Sequence, residues 1–101
     1  MIDVSADDLA VLRQFFAAFI PGAEVRAYGS RVKGTAWKFS DLDLAIVTPN
    51  GLPPRVLNNL RGALAASDLV FRVDIHDWTH ISPEFRAIIE ECYEVIQPAS
   101  A

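Results

Sequence analysis

Cysteine is almost missing from this chain. The one residue, Cys92, excludes an intrachain disulfide, and with two histidines the sequence offers no His/Cys spacing suited to zinc. Lysine is nearly as scarce. Lys33 and Lys38 stand close together, and the net charge is -4, which argues against binding to long nucleic acid, where many cations must neutralise phosphates. Long apolar runs are lacking as well. Half the residues are hydrophobic, yet no stretch approaches the ~20 apolar residues of a membrane span, and Met1-Ile2-Asp3-Val4 has neither the basic nor the apolar part of a signal peptide. A cytoplasmic chain with no membrane attachment is expected. There is no repeat, linker or low-complexity tract, so a single domain over 1–101 is expected, with a radius of about 13 Å.

The informative stretch runs from Tyr28 to Val47. Val25-Arg26-Ala27-Tyr28 reads as a short strand, and Gly29-Ser30 makes a sharp exit into a short helix closed by Gly34. A phosphate suits that helix start: free backbone N–H groups, the Ser30 hydroxyl and the helix dipole favour an anion, and Arg31 and Lys33 add positive charge. Arg26 and Lys38 lie near the same place. Then comes Asp41-Leu42-Asp43-Leu44-Ala45-Ile46-Val47. On a strand, Asp41 and Asp43 project from one face roughly 6 to 7 Å apart, while Leu42, Leu44 and Ile46 occupy the other. Paired carboxylates of this kind are hard ligands that suit Mg²⁺, which takes the rest of its shell from water and substrate phosphates.

A third carboxylate is available on a later strand. In Val70–Trp78, Phe71, Val73 and Ile75 alternate with Arg72, Asp74 and His76, so Asp74 points to the polar face. Neighbouring strands lie about 4.8 Å apart, which brings Asp74 within reach of a metal held by the other two. Asp77 has the opposite parity. His76 shares the parity of Asp74 and is read as a polar neighbour.

Gly29-Ser30, Gly34, Ser40-Asp41-Leu42-Asp43-Leu44 and Asp74 one strand later resemble the polymerase-beta-type nucleotidyltransferase superfamily. More narrowly, they resemble the minimal nucleotidyltransferases, the MntA-type antitoxins that pair with HEPN-domain, HepT-like toxins. The resemblance covers nearly the whole chain, and its central motif is the specific part. It implies an α/β (α+β) fold: a small mixed sheet of three to four strands flanked by about four helices. It implies that Asp41, Asp43 and Asp74 hold two Mg²⁺ ions and that Gly29 and Ser30 bind the triphosphate of ATP. It further implies transfer of AMP to a tyrosine hydroxyl of the toxin, within a hetero-oligomer. Two alternatives remain: neutralisation of a partner by contact without catalysis, and transfer to a small molecule.

The remaining elements are expected as follows. Ser5-Ala6-Asp7-Asp8 is a capping-box-like start to a helix carrying Leu9, Leu12, Phe15, Phe16 and Phe19, ended by Pro21-Gly22. A helix from Pro53 or Pro54 to Ala66 turns Val56, Leu57, Leu60 and Leu64 inward. A last helix from Ser82-Pro83-Glu84 carries Phe85, Ile88 and Ile89 toward the core, and Tyr93–Ile96 forms a short final strand. Cys92 is expected as a buried, inert thiol. Trp37 and Phe39 are expected to fill gaps in the core, and Phe15, Phe16, Phe85 and Trp78 are candidates for contact with a partner.

Overall fold

The computed structural model describes residues 2–100. Helix α1 (Ala6–Phe19) starts where the Ser5 side chain accepts a hydrogen bond from the Asp8 N–H, and it ends at Ile20, ahead of Pro21-Gly22. Strand β1 (Glu24–Tyr28) leads through Gly29 into the short α2 (Ser30–Lys33), which Gly34 closes in the left-handed conformation. Strand β2 (Leu42–Val47), helix α3 (Pro54–Ala65) and strand β3 (Val73–Asp77) follow. A 3-10 turn over Trp78–His80, helix α4 (Pro83–Glu91) and strand β4 (Glu94–Gln97) complete the chain. The 3-10 turn has a local cause that the apolar pattern does not carry: the Asp77 side chain caps it by accepting from the Thr79 N–H.

The strands form one mixed sheet in the order β3-β2-β1-β4. β1 runs antiparallel to β2 and β4, while β2 and β3, joined through α3, are parallel. The mixed α/β architecture expected from the sequence is therefore present. Its main core lies on one face, where Leu12 and Phe16 of α1 and Leu57, Leu60 and Leu64 of α3 cover Val25, Ala27, Leu42, Leu44, Ile46, Ile75 and Ile96. Each large apolar side chain fully buried here contributes about 1.5–3 kcal/mol. Period-two alternation then forces Tyr28, Asp43, Ala45, Asp74 and His76 to the opposite face.

That second face is only partly open, because Tyr28, Ala45 and Ile89 form a smaller cluster with Trp78 and Ile81 packed against it. Only Ile89 of α4 is buried. Phe85 and Ile88 are 42% and 51% exposed, so the expectation that all three enter the core is corrected. The reason is that α4 covers just one end of the face and leaves one side of its apolar stripe outside. Phe16, by contrast, is fully buried and is not available to a partner. Trp37 and Phe39 fill no core gap: they are 67% and 53% exposed and pack edge-to-face on each other, with centroids 5.5 Å apart. Among the described residues, no helix is long and apolar enough to cross a membrane.

Candidate active site

Sheet register builds the site. Tyr28 on β1 is paired with Asp43 on β2, and Asp43 with Asp74 on β3, so the three side chains stand in one row across three strands. One row further along, Arg26 pairs with Ala45 and Ala45 with His76. Asp41 lies just before β2 and is exposed, free to lean toward Asp43 from the solvent side.

Gly29 couples this row to the helix start. Its φ is +83°, and a Cβ placed there would lie 2.6 Å from Asp43 Oδ2. The backbone conformation and the closeness of the carboxylate therefore both require glycine. Val32 and Lys33 donate their N–H groups to the Gly29 carbonyl, so the Ser30 and Arg31 amides remain at the open N-terminal end of α2. A cradle of backbone donors thus abuts the Asp43 carboxylate.

The electrostatics of the row are those of crowded negative charge. Burial pushes the Asp43 carboxyl above its ordinary range, the charges of Asp74 and Asp41 push it further, and His76 and Arg72 offset part of this. Burial, with Asp43 and Asp74 beside it, pushes the Tyr28 phenol up to about 12, so it stays a neutral O–H near neutral pH. Asp74 is held by two neighbours of the same parity, with His76 Nε2 3.2 Å from its Oδ2 and Arg72 3.9 Å from its Oδ1. Among the described residues, no three His, Cys, Asp or Glu side chains stand ready as a finished cation cage. The donor chemistry still fits a hard divalent cation: register sets Asp43 beside Asp74, Asp41 lies two residues before Asp43, and the charge that Asp43 feels from the other two is what such an ion would neutralise.

The chain matches the nucleotidyltransferase domain family over residues 9–96. It is 43% identical over 96 residues to a protein of Haemophilus influenzae named "Probable protein adenylyltransferase MntA", covering 95% of this chain and 84% of that one. The chain belongs to the nucleotidyltransferase domain family. Solved structures share its fold. A crystal structure of a toxin-antitoxin with AMP-PNP superposes with a TM-score of 0.76 at 20% identity, over 92% of this chain and 75% of the other. A mutant of the toxin-antitoxin MntA-HpeT gives 0.74 at 18% identity, over 91% and 74%.

Within this nucleotidyltransferase, the basic residues expected at the phosphate site divide sharply. Arg31 is buried, and its guanidinium donates to the carbonyls of Ser40, Asp3 and Lys38 at 2.9, 2.8 and 3.2 Å while lying over the Phe71 ring. It pins the loop that carries Asp41 and does not face the cradle, which corrects its place among the nucleotide-binding residues. Arg26 is bonded to Glu24 and flanked by the rings of Trp78 and Tyr93. Lys38 lies over Phe39. Lys33 remains: it is exposed and lines a cavity of about 160 Å³ with Tyr28, Gly29 and Asp43. Cys92 borders the same cavity and is half-buried, so the expectation of a sequestered thiol is corrected as well.

Sequence reasoning passed over Tyr28 and Arg72 as members of the site. The signal for Arg72 was its shared parity with Asp74. Tyr28 joins the row only through the β1–β2 register, which no local pattern carries. Asp77 is 3% exposed and lies on the main-core side of β3, as its parity requires. Burial alone would push its carboxyl up, but hydrogen bonds from the Leu52 and Thr79 N–H groups and the Thr79 hydroxyl, with His80 nearby, hold it below the ordinary range. It ties the loop after β2 to the end of β3.

Proposed function

We propose that this nucleotidyltransferase is an antitoxin that transfers AMP from ATP to a tyrosine hydroxyl of a HEPN-type, HepT-like toxin. It would act in the cytoplasm as a single domain within a hetero-oligomer. The observation that carries the reading is the closeness of the Asp43 carboxylate to Gly29, which leaves no room for a Cβ there and sets the start of α2 against the carboxylate row. The relative named as a protein adenylyltransferase supports the reaction class, and fold relatives crystallised as toxin-antitoxins, one with AMP-PNP, support the partner and the nucleotide.

The turn at Gly29-Ser30 presents the open backbone N–H groups of Ser30 and Arg31 to the β- and γ-phosphates, and Lys33 supplies a nearby positive charge. Asp41, Asp43 and Asp74 are the residues that would hold Mg²⁺, which would supply charge neutralisation at the phosphates and lower the pKa of the acceptor hydroxyl. Asp74, placed at the open edge of the row, orients the acceptor hydroxyl and takes its proton. The acceptor oxygen bonds to the α-phosphorus, the bond from that phosphorus to the bridging oxygen breaks, and pyrophosphate leaves. His76 and Arg72 keep the Asp74 carboxylate oriented, and Tyr28 remains a neutral donor beside Asp43. Most of the rate enhancement comes from positioning and preorganised charge.

Titrating the toxin partner with this chain, with and without ATP and Mg²⁺, tests the reading. Substoichiometric, ATP-dependent silencing is expected. Silencing only at one-to-one stoichiometry, indifferent to ATP, would make the chain a binding antitoxin without catalysis.

A further inference from the structure

We infer that the cleft between α3 and the free edge of β3 docks an extended, acidic segment of the acceptor protein. This inference rests on the reading of the chain as a protein-modifying transferase. The cleft holds about 420 Å³, against about 160 Å³ for the cavity beside Lys33 and Asp43. Arg61, Leu64, Phe71, Arg72, Val73 and Asp74 are among its lining residues. Asp74 stands at its rim, on the edge strand that separates the cleft from the carboxylate row and on the side away from the phosphate cradle.

Its backbone chemistry suits an extended chain. β3 is an edge strand, paired only with β2. The Leu42 N–H donates to the Arg72 carbonyl at 2.9 Å, so by alternation the backbone groups of Arg72, Asp74 and His76 face β2, and those of Val73 and Ile75 face outward. Arg61 bears this out by donating to the Ile75 carbonyl at 3.0 Å. An edge of this kind is a template for an added strand.

Its charge selects the occupant. Arg61 and Arg72 flank the cleft in a chain whose net charge is -4. The Arg72 side chain is 73% exposed and touches Asp74 only at 3.9 Å, and Arg61 is also exposed. Arg61 gives one N–H to the Ile75 carbonyl and Arg72 meets Asp74 only at 3.9 Å, so each guanidinium keeps further N–H groups for a carboxylate of the docked segment. Leu64, Phe71 and Val73 supply an apolar wall on the α3 side of the edge strand, against which an apolar or aromatic side chain of the docked segment can lie.

The test uses the full chain with Mg²⁺, ATP and two synthetic peptides of equal length, one with tyrosine flanked by glutamates and one with tyrosine flanked by lysines. Adenylylation is read by mass, binding by fluorescence anisotropy, and location by the amide shifts of Val73 and Ile75. The acidic peptide is expected to bind about tenfold or more tightly than the basic one and to shift both amides. Arg61→Glu is expected to raise its KM about tenfold, and Arg61→Gln by less, with ATP affinity unchanged. Equal use of both peptides, an unchanged KM in Arg61→Glu, or displacement of the peptide by a single-stranded RNA oligomer would overturn the inference. An acidic peptide that binds and shifts Val73 and Ile75 yet is never adenylylated supports the cleft and counts against the transferase reading instead.

Discussion

Replacing Gly29 with alanine separates the two roles of that residue, because Gly34 provides a matched control. Both glycines have φ near +80°, a conformation that costs an L-residue about 1–2 kcal/mol. In a domain of this size each kcal/mol lowers Tm by about 4–8 °C, so either substitution should lower it by about 4–16 °C. The surroundings differ. A Cβ at Gly34 meets nothing within 4 Å, whereas one at Gly29 lies 2.6 Å from Asp43 Oδ2. That oxygen ends a side chain and can rotate away, so the clash adds little to the stability cost but displaces the carboxylate. A displacement of about 1 Å costs on the order of 10²-fold in rate. Thermal melts and single-turnover transfer of labelled AMP read the two effects separately. Gly34→Ala should lose stability and keep most of its activity, and Gly29→Ala should lose both. Equal activity in the two variants would refute the coupling of cradle to carboxylate.

Other expectations follow from the same structure. Asp43→Asn should abolish transfer yet raise Tm at neutral pH without divalent ions. Asp43 has a raised carboxyl, so its ionised form opposes folding above that carboxyl's titration range, and the gain should shrink as pH falls toward about 4; a Tm difference that is flat with pH would contradict this. Arg31→Ala should cost about 2–4 kcal/mol in a denaturant melt, because three carbonyls and a ring lose their partner, and Arg31→Lys should recover little of it. Asp77 has a lowered carboxyl, so its hydrogen bonds stabilise the fold above about pH 4 and that contribution is lost as pH falls through its folded value. Asp77→Asn should therefore flatten the acid limb of the stability curve in pH-dependent urea melts.

What was legible in the sequence is what short periods carry. The alternation of Leu42, Leu44 and Ile46 with Asp41 and Asp43, and of Val73 and Ile75 with Asp74, decides which face each side chain takes, and β2 and β3 follow it. Ser5 and Gly34, as helix start and stop, are equally local. The parts that were not legible depend on tertiary placement. Nothing near Arg31 in the chain shows that the Asp3 carbonyl, distant in sequence, meets its guanidinium. The burial of Ile89 but not Phe85 or Ile88 depends on where α4 lands on the sheet. Tyr28 enters the row only because antiparallel register sets it opposite Asp43.

The most direct measurement is the intact mass of the partner toxin after incubation with this chain, Mg²⁺ and ATP, beside the Asp41→Ala/Asp43→Ala double variant. The account predicts an added AMP mass on a tyrosine that is absent with the variant. A partner that binds tightly and is silenced with its mass unchanged would contradict it.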